Sequence, residues 1–140
     1  MEIHIYDKIK TQNTNHILPL SSLVELIWSI DPNLLSGYWN IYFAHAGHGE
    51  KAVQLDDLVC VQCPYLIDGE QIFPWIKDGT NYLDHFGAQS ETQMILGIFD
   101  ASFLFIDTDN DFVLDKVKQH YFDIQIVQDD EKSIKRLFVT

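Results

Sequence analysis

The most regular alternation of apolar and polar residues in this chain covers residues 93–127. Apolar residues first recur at every second position and then fill both faces of residues 103–106, which is typical of a strand covered on both sides. Residues 112–121 repeat with helical spacing, and residues 122–126 alternate again. The segment therefore predicts a strand, a turn, a second strand, a helix and a third strand, in that order.

Shorter patterns occur in the first third of the chain. Residues 3–6 alternate and predict a first strand, whereas the polar residues 8–16 predict a loop. Ser22 and Glu25 have the spacing of a capping box, so we expect a helix to begin at Ser22. Pro32 should end that helix, because proline lacks a backbone donor and disfavours helix in the residue before it.

The middle of the chain predicts strands and loops. Aromatic and β-branched residues dominate positions 37–44, which favours a strand, and the two glycines within residues 45–51 predict a mobile loop. Residues 55–67 are ambiguous but suit a strand, and Pro64 would place that strand at a sheet edge. The Asp-Gly pair at residues 68–69 has the sequence of a hairpin turn that leads into another strand.

The predictions for the remaining segments are also typical of an α+β fold. Residues 74–87 predict either a short helix or an irregular segment packed by its aromatic side chains, and residues 134–139 predict a last short strand. The strands follow one another with few helices between them, which is typical of the α+β class. We expect one α+β domain over residues 1–140, with a mixed or antiparallel sheet packed by two or three helices.

The excess of acidic over basic residues indicates which kinds of molecule this protein can bind. The 140 residues include 9 Lys and Arg against 21 Asp and Glu, which gives a net charge of −12. Such a surface repels nucleic acids and anionic membranes and attracts cationic proteins, although an acidic balance also serves solubility alone. The chain has neither a basic, apolar leader nor a run of roughly 18 apolar residues, so we expect a cytoplasmic protein without a membrane span.

Two histidines and two cysteines have a spacing that suits a metal ion. His45, His48, Cys60 and Cys63 follow the pattern H-x2-H-x11-C-x2-C, and two imidazole nitrogens with two thiolates suit tetrahedral zinc. Residues three apart in a strand point to opposite faces, so both cysteines would bind one ion only if the chain bends there. Two reduced cysteines beside solvent-facing histidines are the alternative.

No catalytic arrangement is recognisable in the sequence. Residues 107–111 read Asp-Thr-Asp-Asn-Asp, like the first half of a calcium loop, but Phe112 and Lys118 stand where that loop needs glycine and glutamate. Asp109 or Asn110 is instead expected to cap the helix that follows. There is no nucleophile triad and no phosphate-binding loop. We therefore expect a protein that is not an enzyme, has no catalytic residues and needs no cofactor.

Acidic residues cluster around the start of the predicted helix at residues 112–121 and after the predicted strand at residues 122–126. A rim of acidic residues around aromatic anchors would suit a basic protein partner, and Trp39, Tyr42, Trp75 and Tyr82 are the candidate anchors. A solvated acidic face above aromatic core residues is the alternative. The candidate binding residues are Asp107, Asp109, Asp111, Asp115, Asp129, Asp130 and Glu131.

Residues 97–106, the helix after them and residues 122–124 resemble the C-terminal part of small bacterial immunity proteins. These are the antidotes encoded beside contact-dependent inhibition systems and other polymorphic toxins. The resemblance covers about a third of the chain and implies a protein that binds a cognate toxin domain, often a basic nuclease, and blocks its active site or substrate surface.

Two other interpretations stay open. One is a zinc-binding module or metal-dependent enzyme that uses His45, His48, Cys60 and Cys63. The other is a subunit of a larger assembly that pairs through an edge strand near residues 60–67. The sequence leaves the oligomeric state undecided.

Overall fold

A computed structural model describes residues 1–10 and 15–138. The strands are β1 (Glu2–Ile5), β2 (Lys8–Lys10), β3 (Asn15–Ile17), β4 (Tyr38–His48), β5 (Tyr65–Asp68), β6 (Tyr82–Ser90), β7 (Ile95–Phe99), β8 (Phe103–Asp107) and β9 (Ile124–Val127). The α-helices are α1 (Leu20–Ile30), α2 (Glu50–Val61), α3 (Gly69–Asp78) and α4 (Asp111–His120). Two short 3-10 helices cover Pro32–Leu35 and Ile134–Leu137.

Seven strands form the main sheet, in the order β5-β4-β6-β7-β8-β1-β9. Every neighbouring pair in it is antiparallel. Strands β2 and β3 form a separate antiparallel pair. The predicted α+β class is confirmed, and of the two predicted sheet types the antiparallel one is observed. The described chain has four α-helices, one more than the two or three that the sequence predicted.

The two faces of the main sheet are covered differently. On one face Ile3, Ile5 and Leu104 pack with the buried side chains of the four α-helices. On the other face Phe105 packs with Ile134 and Phe138 of the C-terminal segment, by which we mean residues 128–138. Burial of an apolar side chain of this size stabilises a fold by roughly 1.5–3 kcal/mol. The apolar residues on both faces of β8 therefore have partners on both sides, as the sequence predicted.

The predicted unit of strand, turn, strand, helix and strand is confirmed over β7, β8, α4 and β9. Asn110 caps α4, because its Oδ1 accepts hydrogen bonds from the backbone N–H groups of Phe112 at 3.1 Å and Val113 at 3.2 Å. This cap satisfies two of the donors that a helix N-terminus leaves without partners. The sequence predicted either Asp109 or Asn110 as this cap, and Asn110 is the one observed.

The predicted start of the first helix is wrong. Helix α1 begins at Leu20, and Ser22 lies inside its first turn rather than at the cap. The hydroxyl of Ser22 instead lies 2.9 Å from the hydroxyl of Tyr121, at the end of α4. A tertiary contact between residues 99 positions apart has replaced the local capping interaction.

The predicted loop at residues 45–51 is also wrong, and the predicted strand within residues 55–67 is confirmed only from Tyr65 onward, in β5. Strand β4 continues to His48, and residues 50–61 form α2. Ala52, Leu55 and Val59 lie on the buried side of this helix, with the 3 and 4 residue spacing that a helix requires.

The Asp-Gly pair at residues 68–69 begins a helix instead of a hairpin. Asp68 caps α3 through a hydrogen bond from the backbone N–H of Glu70. A Cβ atom on Gly69 would lie 1.9 Å from the carbonyl oxygen of Leu35, so the close approach of two backbone segments requires glycine here. Pro64 precedes β5, which lies at the edge of the main sheet as predicted.

Three further segments differ from their predictions or refine them. Strands β2 and β3 occupy most of the predicted loop at residues 8–16, of which residues 11–14 lie outside the described residues. Residues 74–87 contain the end of α3 and the start of β6. The predicted last strand is a 3-10 helix at Ile134–Leu137, with Ser133 as its cap, and Val139 lies outside the described residues. No helix in the described part of the chain is long and apolar enough to cross a membrane.

Candidate functional site

The strand register brings the two predicted acidic clusters to the same end of the sheet. Glu2 of β1 pairs with Asp107 of β8 on one side and with Val127 of β9 on the other. The chain therefore leaves β8 and β9 at this end, and an acidic segment follows each strand. We call the exposed acidic residues of these two segments the acidic patch: Asp109, Asp111, Asp115, Asp129, Asp130 and Glu131.

Most of the acidic patch carries charge that no basic group neutralises. In the described part of the chain, only Asp109 of these six residues has a basic group within 4.0 Å, the amino group of Met1 at 3.7 Å. The other five carboxylates have no ion-pair partner among the described residues. Like charges close together at a surface raise the local negative potential, which attracts cations.

Asp107 differs from the other predicted binding residues because it is buried. Its Oδ2 lies 3.2 Å from Nζ of Lys135, and its Oδ1 lies 3.4 Å from the amino group of Met1. No described group forms a hydrogen bond with Oδ1, but the amino group is close enough to offset its charge. Asp107 therefore holds the end of the sheet together and is not presented to a partner.

The local structure fixes the position of both acidic segments. Asp111 lies in the first turn of α4, where a negative side chain interacts favourably with the helix dipole. Asp129 accepts a hydrogen bond from the backbone N–H of Glu131 at 2.9 Å, and its carbonyl accepts one from the N–H of Ser133 at 3.1 Å. The patch is thus built on a capped helix and a hydrogen-bonded turn.

An exposed aromatic ring lies within the acidic patch. The side chain of Phe112 is 59% exposed, and Asp111 and Asp115 are its neighbours on α4. Nζ of Lys116 lies 5.3 Å from the centre of the ring. Ile126, on the edge strand β9, is 46% exposed and lies three residues before Asp129. The patch therefore has two apolar side chains among its charges.

The predicted aromatic anchors do not take part in this surface. Trp39 is fully buried and packs edge-on against Phe73. Tyr42 packs against Phe138, Tyr82 stacks on His48, and Trp75 is partly buried against the main core. Phe112 was overlooked as an anchor, because its helical spacing with Val113 and Val117 indicated the core. The distinguishing signal was its position between two aspartates in the first turn of a helix.

The four predicted metal ligands are not brought together. Nδ1 of His45 lies 3.0 Å from Oδ1 of Asp56, and Sγ of Cys60 lies 3.4 Å from the same oxygen. His48 stacks on Tyr82 instead, and the thiol of Cys63 donates a hydrogen bond to the carbonyl of Tyr42 at 3.0 Å. Among the described residues, His45, Asp56 and Cys60 are the group whose ligand atoms all lie within 4.8 Å of one another.

A buried pair of ionisable residues, Glu2 and His4, lies on the sheet face that the C-terminal segment covers. Nε2 of His4 donates a hydrogen bond to Oε2 of Glu2 at 2.5 Å, and the ring of His4 stacks on Phe103 at 4.3 Å. The carboxylate also accepts hydrogen bonds from the hydroxyl of Ser133 and the N–H of Ile134. This pair therefore ties the C-terminal segment to the sheet.

These contacts change the pKa of Glu2. Burial alone would raise the pKa of this carboxyl, but the hydrogen bonds from His4, Ser133 and Ile134 outweigh burial and hold it below its usual value of 4.5. The carboxylate is thus stabilised in its charged form.

A groove of about 590 Å³ adjoins the acidic patch at the end of the sheet. Its walls include Asp109, Asn110, Gln93 and Thr92, but also Lys135 and the buried Asp107. Because groups of both charges line it, the groove selects neither cations nor anions by charge alone.

Comparison with known protein families, curated proteins and solved structures found no match to this chain.

Proposed function

We propose that this chain is a non-enzymatic immunity protein of the cytoplasm that binds a cationic toxin domain through the acidic patch and thereby neutralises it. The observation that carries the proposal is the set of five exposed carboxylates without an ion-pair partner in the described part of the chain. A basic toxin domain would supply the missing counter-charges.

Long-range attraction gives such a pair a fast first encounter. A surface of one sign raises association rates by about 10- to 1000-fold over those of uncharged surfaces, and salt suppresses the effect. An immunity protein benefits from speed, because every unbound toxin molecule is active. The net charge of −12 and the absence of a recognisable catalytic motif are consistent with this role.

Charge alone gives little affinity, so the contact needs an apolar centre. Phe112 and Ile126 are exposed among the carboxylates and would be covered by the partner. Aromatic side chains at the centre of an interface typically supply much of its binding free energy, whereas charges at its rim affect chiefly rate and specificity.

The first test is calorimetry against the product of the neighbouring gene, at low and at high salt. The proposal predicts a stoichiometric complex whose affinity falls as the salt concentration rises, because screening weakens attraction between exposed charges. Toxicity of that product in cells should disappear when this chain is expressed with it. A neighbouring gene with a housekeeping product, or a neighbour product that does not bind, would count against the proposal.

Substitution of Phe112 by alanine tests the location of the interface. If Phe112 is a central contact, Phe112→Ala should weaken binding by about 2 kcal/mol, or roughly 30-fold in Kd. Phe122 is a matched control, because it is 94% exposed and precedes β9 at the opposite end of that strand. Equal losses in Phe112→Ala and Phe122→Ala, or none in the former, would place the interface elsewhere.

A further inference from the structure

We propose that His45, Asp56 and Cys60 form a binding site for a divalent transition-metal ion of the zinc type. The site is independent of the proposed partner surface: it lies on β4 and α2, whereas the acidic patch lies on α4 and the segments after β8 and β9.

The spacing of the three ligand atoms suits one ion. The ligand atoms lie within 4.8 Å of one another, and two of the separations are 3.0 Å and 3.4 Å, both to Oδ1 of Asp56. Ligands that surround a tetrahedral zinc ion at about 2.0–2.3 Å lie roughly 3.3–3.8 Å from each other. Small side-chain movements would therefore close the three atoms on an ion.

The chemistry of the three donors favours zinc over calcium or magnesium. An imidazole nitrogen, a thiolate and a carboxylate oxygen together suit a borderline ion, whereas calcium and magnesium prefer oxygen ligands alone. Binding would replace the thiol proton of Cys60 with the ion and release that proton to solvent. His45 would bind through Nδ1 as the neutral tautomer that carries its proton on Nε2. Three protein ligands leave the fourth position of a tetrahedron open to water or to a group from another molecule.

The scaffold holds these ligands close together. Asp56 and Cys60 are four residues apart in α2 and so lie on the same side of the helix. Helix α2 is held to the sheet by the buried side chains of Ala52, Leu55 and Val59. His45 extends from the neighbouring strand β4 and already contacts Asp56.

The two other residues of the predicted zinc motif have local reasons for their exclusion. His48 is three residues after His45 in a strand, so its side chain points to the opposite side. Cys63 lies beyond the end of α2, and its thiol is hydrogen-bonded to a backbone carbonyl. His85 is near His45, but its Nδ1 accepts a hydrogen bond from the backbone N–H of Asp100. The Nδ1 atom of His85 is therefore already engaged with the backbone of Asp100.

The experiment loads the reduced, untagged protein with zinc in competition with a chromophoric chelator, and separately with cobalt(II). We expect one metal ion per chain and, with cobalt, the absorption of a thiolate-to-metal charge transfer. Cys60→Ser should remove that absorption and weaken zinc binding by at least about tenfold, since even loss of a group that only supports a ligand costs this much. Asp56→Asn should weaken zinc binding in the same way.

Cys63→Ser is the matched control, because it removes the other exposed thiol of the chain. It should keep both the absorption and the zinc affinity of the parent protein. Absence of metal binding by the parent would overturn the proposal, as would charge-transfer absorption that survives Cys60→Ser or disappears in Cys63→Ser. Circular dichroism of each variant establishes that the fold is retained. Because Cys60 and Asp56 lie outside the acidic patch, binding of the toxin partner should be the same in these variants.

Discussion

The carboxylate of Glu2 accepts three hydrogen bonds on the sheet face that the C-terminal segment covers. It is 3% exposed and accepts hydrogen bonds from Nε2 of His4 at 2.5 Å, Oγ of Ser133 at 2.6 Å and the N–H of Ile134 at 2.9 Å. Two of these donors are more than 130 positions away in the sequence. A single side chain thus connects the first strand to the last described segment.

Replacement of Glu2 by glutamine should destabilise the fold. The amide keeps only one acceptor oxygen, and each buried polar group left without a partner costs about 1–3 kcal/mol. We expect urea unfolding to show a lower free energy of unfolding for Glu2→Gln than for Glu25→Gln, which changes an exposed glutamate of α1. Equal stabilities of the two variants would show that these hydrogen bonds contribute nothing.

The lowered pKa of Glu2 also predicts how this contribution depends on pH. A carboxyl whose pKa in the folded state is below its unfolded value of 4.5 contributes stability that is fully present above pH 4.5. The contribution is lost as the pH falls through the folded-state pKa. The difference in unfolding free energy between the parent and Glu2→Gln should therefore be constant near neutral pH and shrink in acid. A difference that grows in acid would contradict the assignment.

At the scale of elements, the C-terminal 3-10 segment completes the core on one face of the sheet. Phe138 packs against Tyr42, Phe43 and Phe105 with ring centres 5.0, 5.7 and 6.2 Å away. Ile134 is buried in the same cluster. Within the part of the chain that the structure describes, this 3-10 segment pairs with no strand, so the apolar contacts and the hydrogen bonds to Glu2 hold it in place.

Truncation of Phe138 tests this packing. Phe138→Ala should lower the free energy of unfolding by about 3–5 kcal/mol, the usual cost of such a core substitution. Leu137, which is 37% exposed, provides the control, and Leu137→Ala should cost much less. Thermal unfolding followed by circular dichroism measures both. Similar losses in the two variants would mean that the segment is only loosely attached.

The sequence predicted some elements well and others poorly, for identifiable reasons. The unit from β7 to β9 was predictable because both its alternation and its helical spacing are strong. Helix α2 was not, because Gly47 and Gly49 indicated a loop and Val59 and Val61 suit a strand. Its helical spacing rests on only three buried residues, and the packing of α2 against β4 outweighs the local preference.

The sequence predicted which acidic residues belong to the candidate site, but not which of them are buried. Six of the seven predicted acidic binding residues are exposed at one end of the sheet. The seventh, Asp107, is buried against Lys135 and the amino group of Met1, which are distant from it in sequence. No local pattern indicates such a contact. For the same reason Cys60 and His45 could be proposed as ligands from their spacing, whereas their actual neighbour Asp56 could not.

At the scale of the whole molecule, the negative charge is greater than the fold itself requires. Only Asp107 among the predicted binding residues has both carboxylate oxygens near basic groups. Exposed carboxylates without partners repel one another and add little to stability. Their clustering at one end of the sheet therefore has a cost to the fold that a cationic partner would offset.

The most direct test of this claim compares two triple variants with the same net charge. Asp111→Asn, Asp115→Asn and Asp130→Asn neutralise half of the acidic patch. Glu25→Gln, Asp57→Asn and Glu70→Gln neutralise three exposed acids outside it. The measurement is the association rate constant with the proposed cationic partner, by stopped flow, over a range of salt concentrations.

The patch triple should associate about 10-fold more slowly than the parent at low salt, and this gap should close as the screening length falls below about 10 Å. The control triple should stay close to the parent throughout. If the two triple variants associate at the same rate at every salt concentration, the acidic patch attracts the partner no more than other exposed acids do, and the central claim is wrong.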